Sequence, residues 1–285
     1  MSIEAKKYLP MAGMGSLLVF TQLLGVYISS FYLDYNIKAF RDPQSAWNPL
    51  YFILLILIFT AGFLAVNKLE LKWVVELFLS FAIFLTLVYF FMALFGKIFG
   101  LNVVNSILYG TIPAVTLLVL IFLFREWYVV DLVGLFVSSG AAAIFGISLD
   151  LIPALVLLFL LALYDALAVY KTKHMLSLAQ NAIEMKIPVL FVVPKEKNYS
   201  FRSKTTKIGN KENKAFFMGL GDAVLPSILT ISAYNYLGIL PALGAFIGSL
   251  IGFIFLSALV YKGKPQAGLP LLNGGAIIGL LIALI

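Results

Sequence analysis

Apolar residues in this chain come in long unbroken runs. Nine can be read, at 11–33, 49–66, 73–95, 104–124, 127–147, 151–169, 216–237, 239–260 and 268–285. Each is near the ~20 residues that carry a helix across the hydrocarbon core of a bilayer. Because the runs are continuous, they predict α-helices, whose backbone groups are satisfied within each span. The expected fold is an all-α polytopic membrane protein with nine transmembrane helices. Most links are short, as in a compact bundle; the exception lies between Tyr170 and Ala215 and is polar and lysine-rich. The chain thus divides into a six-helix part, 1–171, a basic loop, 172–214, and a three-helix part, 215–285, which together form one domain.

Composition agrees with that reading. Hydrophobic residues make up 62% and charged residues 12% of the 285 residues, and mean hydropathy is +1.03. Soluble domains carry about a quarter charged residues. No cysteine is present, which removes disulfides and thiolate metal sites, and the single histidine, His174, removes any site that needs two. The net charge of +7 is an orientation signal. Seventeen of the twenty Lys and Arg residues fall on one side of the nine spans, and only Lys38, Arg41 and Lys97 on the other. That places the N-terminus and the long loop in the cytoplasm and the C-terminus outside. The basic residues then face anionic lipid heads, and nucleic acid is not an expected partner. No cleavable signal peptide is evident.

Acidic residues inside the spans carry the chemistry. A carboxylate at the centre of a membrane helix costs roughly 2.5–3.5 kcal/mol on insertion scales, so it normally has a task. Glu76 and Asp131 lie near helix starts, where they complement the positive helix terminus, and Asp150 reads as an N-cap before Leu151. Asp165 and Asp222 lie deeper. Asp165 is about 9 Å along its helix from Lys171, and Asp222 is about 12 Å from Lys214. Consecutive antiparallel helices therefore bring the two to nearly the same level, with no fixed cation there. Gly219 and Gly221 remove side chains beside Asp222, so another backbone can approach. Pro226 has no N–H for the Asp222 carbonyl, which loosens the helix at the acid.

Two carboxylates in one low-dielectric site do not both ionise readily. One keeps its proton, which puts an acid and a base in the same place and allows a shared water to attack a peptide bond. A zinc peptidase would need His-Glu-x-x-His, which is absent, and His174 lies in the loop, too far out for a serine–histidine dyad. Neither metal nor organic cofactor is expected. The alternative is a proton- or cation-coupled transporter, or a leak channel, using the same aspartates.

With Tyr164-Asp165 in one helix and Gly219-Leu220-Gly221-Asp222 in the next, the chain resembles the presenilin/signal peptide peptidase family of intramembrane aspartyl proteases. The resemblance extends over the whole chain and implies a presenilin-like bundle in which Asp165 and Asp222 are the catalytic pair, supported by Tyr164, Gly219, Leu220 and Gly221. It implies single-span membrane proteins or signal-peptide-like segments as substrates. It also implies a Pro-Ala-Leu motif at the start of the ninth helix. Here the residues are Ala267-Gly268-Leu269-Pro270, which match at Leu269 and Pro270 and are small at the first two positions. Compact length and few polar embellishments suggest a prokaryotic, archaeal member, and the cytoplasmic N-terminus favours the presenilin-like arrangement.

Two further stretches stand out. The run 187–194, bracketed by prolines and rich in β-branched residues, predicts an extended segment. Its edge, at Val189 and Val192, could receive a substrate as an added strand. Gly244, Gly248 and Gly252 recur at four-residue spacing on the eighth helix, a face for close packing inside the bundle or, less favourably, against a second copy.

Overall fold

The structure is a computed structural model that describes residues 3–68, 72–124, 126–172, 189–196, 199, 215–260 and 266–285. Most of the basic loop, including His174, Ile187 and Pro188, lies outside the described residues, as do Lys262 and Lys264. Nine α-helices are found among those described: α1 (Ile3–Asp34), α2 (Trp47–Lys68), α3 (Lys72–Phe99), α4 (Val103–Phe124), α5 (Trp127–Ser148), α6 (Leu151–Leu167), α7 (Leu220–Leu237), α8 (Ile239–Val260) and α9 (Leu269–Ala283). Six of them (α1, α3, α4, α5, α6 and α8) are long and apolar enough to cross a membrane by length and composition. The bundle is apolar outside and partly polar inside. Ile152, Leu240 and Val104 are among the most exposed residues, whereas Gln22, Ser138, Ser232 and Ser249 are fully buried.

Those buried polar groups are paired, as a membrane interior requires. Thr230 of α7 donates to Gln22 Oε1 of α1 at 2.7 Å, and Gln22 Nε2 donates to Ser249 of α8 at 3.0 Å. Ser232 donates to the Leu149 carbonyl, and the Asp150 carboxylate caps α6 by accepting the Leu151 N–H at 2.6 Å. The polar inner face explains why α7, though 18 residues long, falls short of the apolarity of the other spans.

Small residues set the helix spacing. A Cβ at Gly244, Gly248 or Gly252 would run into the carbonyl oxygens of Gly279, Gly275 and Leu271, so α8 and α9 meet backbone to backbone. The glycine face therefore packs within the bundle. At the centre, α5 lies against α1, α3 and α7.

Between α6 and α7 the chain forms the antiparallel pair β1 (Leu190–Pro194) and β2 (Ala215–Gly219), with Phe191 opposite Met218 and Val193 opposite Phe216. This corrects the expectation of a single helix from Phe216. Residues 215–219 are extended and α7 begins only at Leu220, because Phe-Phe-Met finds a strand partner in β1. Asp222 consequently lies in the first turn of α7, and the helical rise from Lys214 does not apply to it.

Candidate active site

Each of the two aspartates reaches the site from a different local structure. Asp165 lies in the last turn of α6, just before a π-helical turn at Ala168–Thr172, and is 4% exposed. Its carboxylate accepts the backbone N–H of Leu269, with Oδ2 at 3.1 Å, and that of Gly268. Gly268 and Leu269 are the N-cap and first residue of α9, so their N–H groups have no acceptor within that helix. Asp165 therefore supplies the acceptor for the free N–H groups at the N-terminus of α9, a place where the helix dipole favours a carboxylate.

Asp222 is held by its own helix. Gly219 is the N-cap of α7, with φ −61° and ψ 140°, and Asp222 is the third helical residue. Its carboxylate accepts the Gly219 N–H. This is the return half of a capping box, in which the third residue satisfies the N-cap donor. Pro226 one turn on leaves the Asp222 carbonyl without its helical donor.

The two carboxylates converge on one peptide unit. Leu269 donates to Asp165, while a Cβ on the preceding Gly268 would lie 3.0, 3.1 and 3.2 Å from Oδ2, Cγ and Oδ1 of Asp222. Asp222 is also within Coulombic reach of Asp165. The lead-in to α9 thus touches both acids, and a Cβ at Gly268 would fit only if the Asp222 carboxylate gave way by a few tenths of an ångström. At Gly219 and Gly221, the glycines read as leaving space for another backbone beside Asp222, the surroundings are more open. A Cβ at Gly219 would be an ordinary 3.5 Å from Asp222, and one at Gly221 would meet no neighbouring segment within 4 Å among the described residues.

The remaining sequence-derived residues fall around this centre. Ala267, Gly268 and Leu269 are buried, and Pro270 opens α9. Tyr164, next to Asp165, is half-buried. Leu220 is packed among Met14, Leu18 and Phe191, and its N–H donates to the Val189 carbonyl at 3.1 Å, which extends the strand ladder to the start of α7. Val189 packs against the main core, and Val192 is fully buried with its N–H donated to Asp131 at 2.7 Å. The edge expected at Val189 and Val192 is thus occupied. The register turns the N–H and C=O of Phe217, opposite Val192, away from β1, and among the described residues no strand pairs with that side of β2.

Sequence reasoning missed two groups here. Asp131, read as complementing a helix start, is 6% exposed and anchors β1 to α5. A cavity of about 120 Å³ opens beside Asp222, lined by Met11, Met14, Phe216, Phe217, Phe253, Leu256, Gln266 and Gly268 among others. It has room for water or one large apolar side chain. No group of residues able to hold a metal ion is found among the described residues.

Comparison with known proteins agrees with this geometry. The family model described as signal-peptide peptidase, presenilin aspartyl protease matches residues 15–285. Eleven chains among solved structures match. One, a presenilin family intramembrane aspartate protease in a C222 crystal, is 37% identical with a TM-score of 0.74 and covers 97% of this chain and 99% of its own. A presenilin family intramembrane aspartate protease in a P2 crystal is 38% identical, with a TM-score of 0.73 and coverage of 97% and 98%. No curated protein matches the chain. With the family pattern running from the first span to the last, this multi-pass integral membrane protein belongs to the signal-peptide peptidase and presenilin family and is an intramembrane aspartyl protease.

Proposed function

We propose that Asp165 and Asp222 are the catalytic pair of this protease and hydrolyse a peptide bond within a transmembrane segment. The observation that carries the reading is their convergence on the Gly268–Leu269 peptide from two helices. One carboxylate takes a proton from a water held between them while the other, protonated, gives its proton to the scissile carbonyl oxygen. The tetrahedral intermediate then collapses as the leaving nitrogen takes a proton back from the pair. No covalent bond to the enzyme forms, and water is the co-substrate. The backbone N–H groups on each carboxylate fix its orientation before substrate arrives.

A peptide bond inside a helix is shielded until the helix opens. We place the receiving edge on β2, at Phe217, instead of on β1. An opened substrate would add there as a third strand and recover backbone hydrogen bonds lost from its helix. Gly221, with open space where a Cβ would be, leaves room beside Asp222 for its backbone, and the cavity by Phe253 and Leu256 would take an apolar side chain near the cut. Ala267, Gly268, Leu269 and Pro270 would form the opposite wall. The substrates fitting this site are single membrane-spanning segments, including signal-peptide-like ones. From the basic residues, we place the N-terminus and the 172–214 loop in the cytoplasm and the C-terminus outside.

Purified protein in detergent with a labelled transmembrane peptide tests the reading. Wild type should cleave, and Asp165→Asn and Asp222→Asn should each reduce cleavage to background. Cation flux through liposome-reconstituted protein without cleavage would select the transporter reading.

A further inference from the structure

The turn after Asp165 and the lead-in to α9 are tied together by a side chain that the reaction above does not use. In an uninterrupted α-helix Tyr170 would lie about 140° around the axis from Asp165. The π-helical turn at Ala168–Thr172 takes more residues to go round once, so each residue rotates less and Tyr170 swings back toward α9. There its hydroxyl donates to Gln266 Oε1 at 2.9 Å and accepts from the Ala267 N–H at 3.4 Å. The next two N–H groups along that segment, of Gly268 and Leu269, are those that Asp165 accepts. The segments 165–170 and 266–269 are therefore joined at both ends, by Asp165 and by Tyr170.

The lead-in has little stiffness of its own. Gln266 and Ala267 belong to neither helix nor strand, and Gly268 has no side chain. A proline at position 267 would be rigid but would have no N–H to give; with alanine there, Tyr170 can make the bond. We infer that Tyr170 is a positioning residue, whose hydroxyl holds 266–268 so that the Gly268 and Leu269 N–H groups stay on Asp165. It acts through the backbone of the α9 lead-in and touches no reacting atom. The inference rests on the reading of Asp165 as catalytic.

The test uses the full chain in detergent with a labelled transmembrane peptide, and compares wild type, Tyr170→Phe, Gln266→Ala and the double variant, with Asp165→Asn as a control. Tyr170→Phe should lower kcat about tenfold and leave KM within about twofold, since the lost bond orders a catalytic group and binds no substrate. Thermal melting should be unchanged, because Tyr170 is 57% exposed and only its hydroxyl is removed. Gln266→Ala should lower kcat less, and the double variant should be no slower than Tyr170→Phe, because both cut the same link. Wild-type kcat in Tyr170→Phe, a loss confined to KM, a loss that multiplies with that of Gln266→Ala, or a fall in melting temperature would each overturn the inference. Cleavage retained by Asp165→Asn would instead sink the catalytic assignment, and is read independently of Tyr170.

Discussion

Asp165 and Asp222 are the same chemical group at the same site, yet α6 and α7 fix them by different means. Asp222 is oriented within its own neighbourhood: β2 ends, Gly219 caps α7, and the carboxylate three residues on returns to the Gly219 N–H. Asp165 is oriented from about a hundred residues away, by the first N–H groups of α9. Each carboxylate thus sits at a helix N-terminus, one at its own and one at a neighbour's. A helix start is a ready anion site, so two starts brought together can hold two acids without a fixed cation. Asp222 should follow the integrity of the strand-to-helix junction, and Asp165 the placement of α9.

The largest effect is expected where the two supports meet. Gly268→Val places side-chain atoms against the Asp222 carboxylate and pushes it from the α9 lead-in. A displacement on the order of 1 Å should lower kcat/KM about a hundredfold in the peptide-cleavage assay, with the bundle still folded. Gly219→Pro isolates the local support. The φ of −61° suits proline, and the register turns the Gly219 N–H away from β1, so the change removes chiefly the donor to Asp222. About a tenfold loss of kcat is expected.

Next comes the open edge of β2, the strand that runs into α7. Phe217→Pro removes one outward N–H without touching the β1–β2 ladder, and should cut kcat/KM several-fold, roughly threefold to tenfold, below that of Phe217→Ala. Equal activity of the two variants would remove β2 as the receiving strand. Smallest is Thr230→Val, which deletes the bond from α7 to Gln22 well away from the acids. It should cost about 0.6 kcal/mol of stability by unfolding measurements and leave cleavage within about twofold of wild type.

The contrast between α6 and α7 also marks what could be read from the sequence. The helical spans, the two acids, the Asp150 cap and the glycine seam of α8 were legible because each is a pattern within one segment. The start of α7 was not. Phe216, Phe217 and Met218 are apolar in a run too short for periodicity to separate strand from helix, and their state is decided by Leu190–Pro194. Asp131 resembled a helix-terminus acid because the N–H it receives, that of Val192, belongs to a segment far along the chain. For the same reason the tight approach of Gly268 to Asp222 was not legible, because the two are far apart in sequence.

In the proposed reaction the two carboxylates act as one unit on one water. Single-turnover cleavage of a labelled transmembrane peptide by Asp165→Asn, Asp222→Asn and the double variant tests it most directly. If the pair is one unit, each single variant should fall to the same background rate and the double variant should be no slower than either. A single variant that keeps measurable cleavage, with a further loss when the second aspartate is changed, would contradict it.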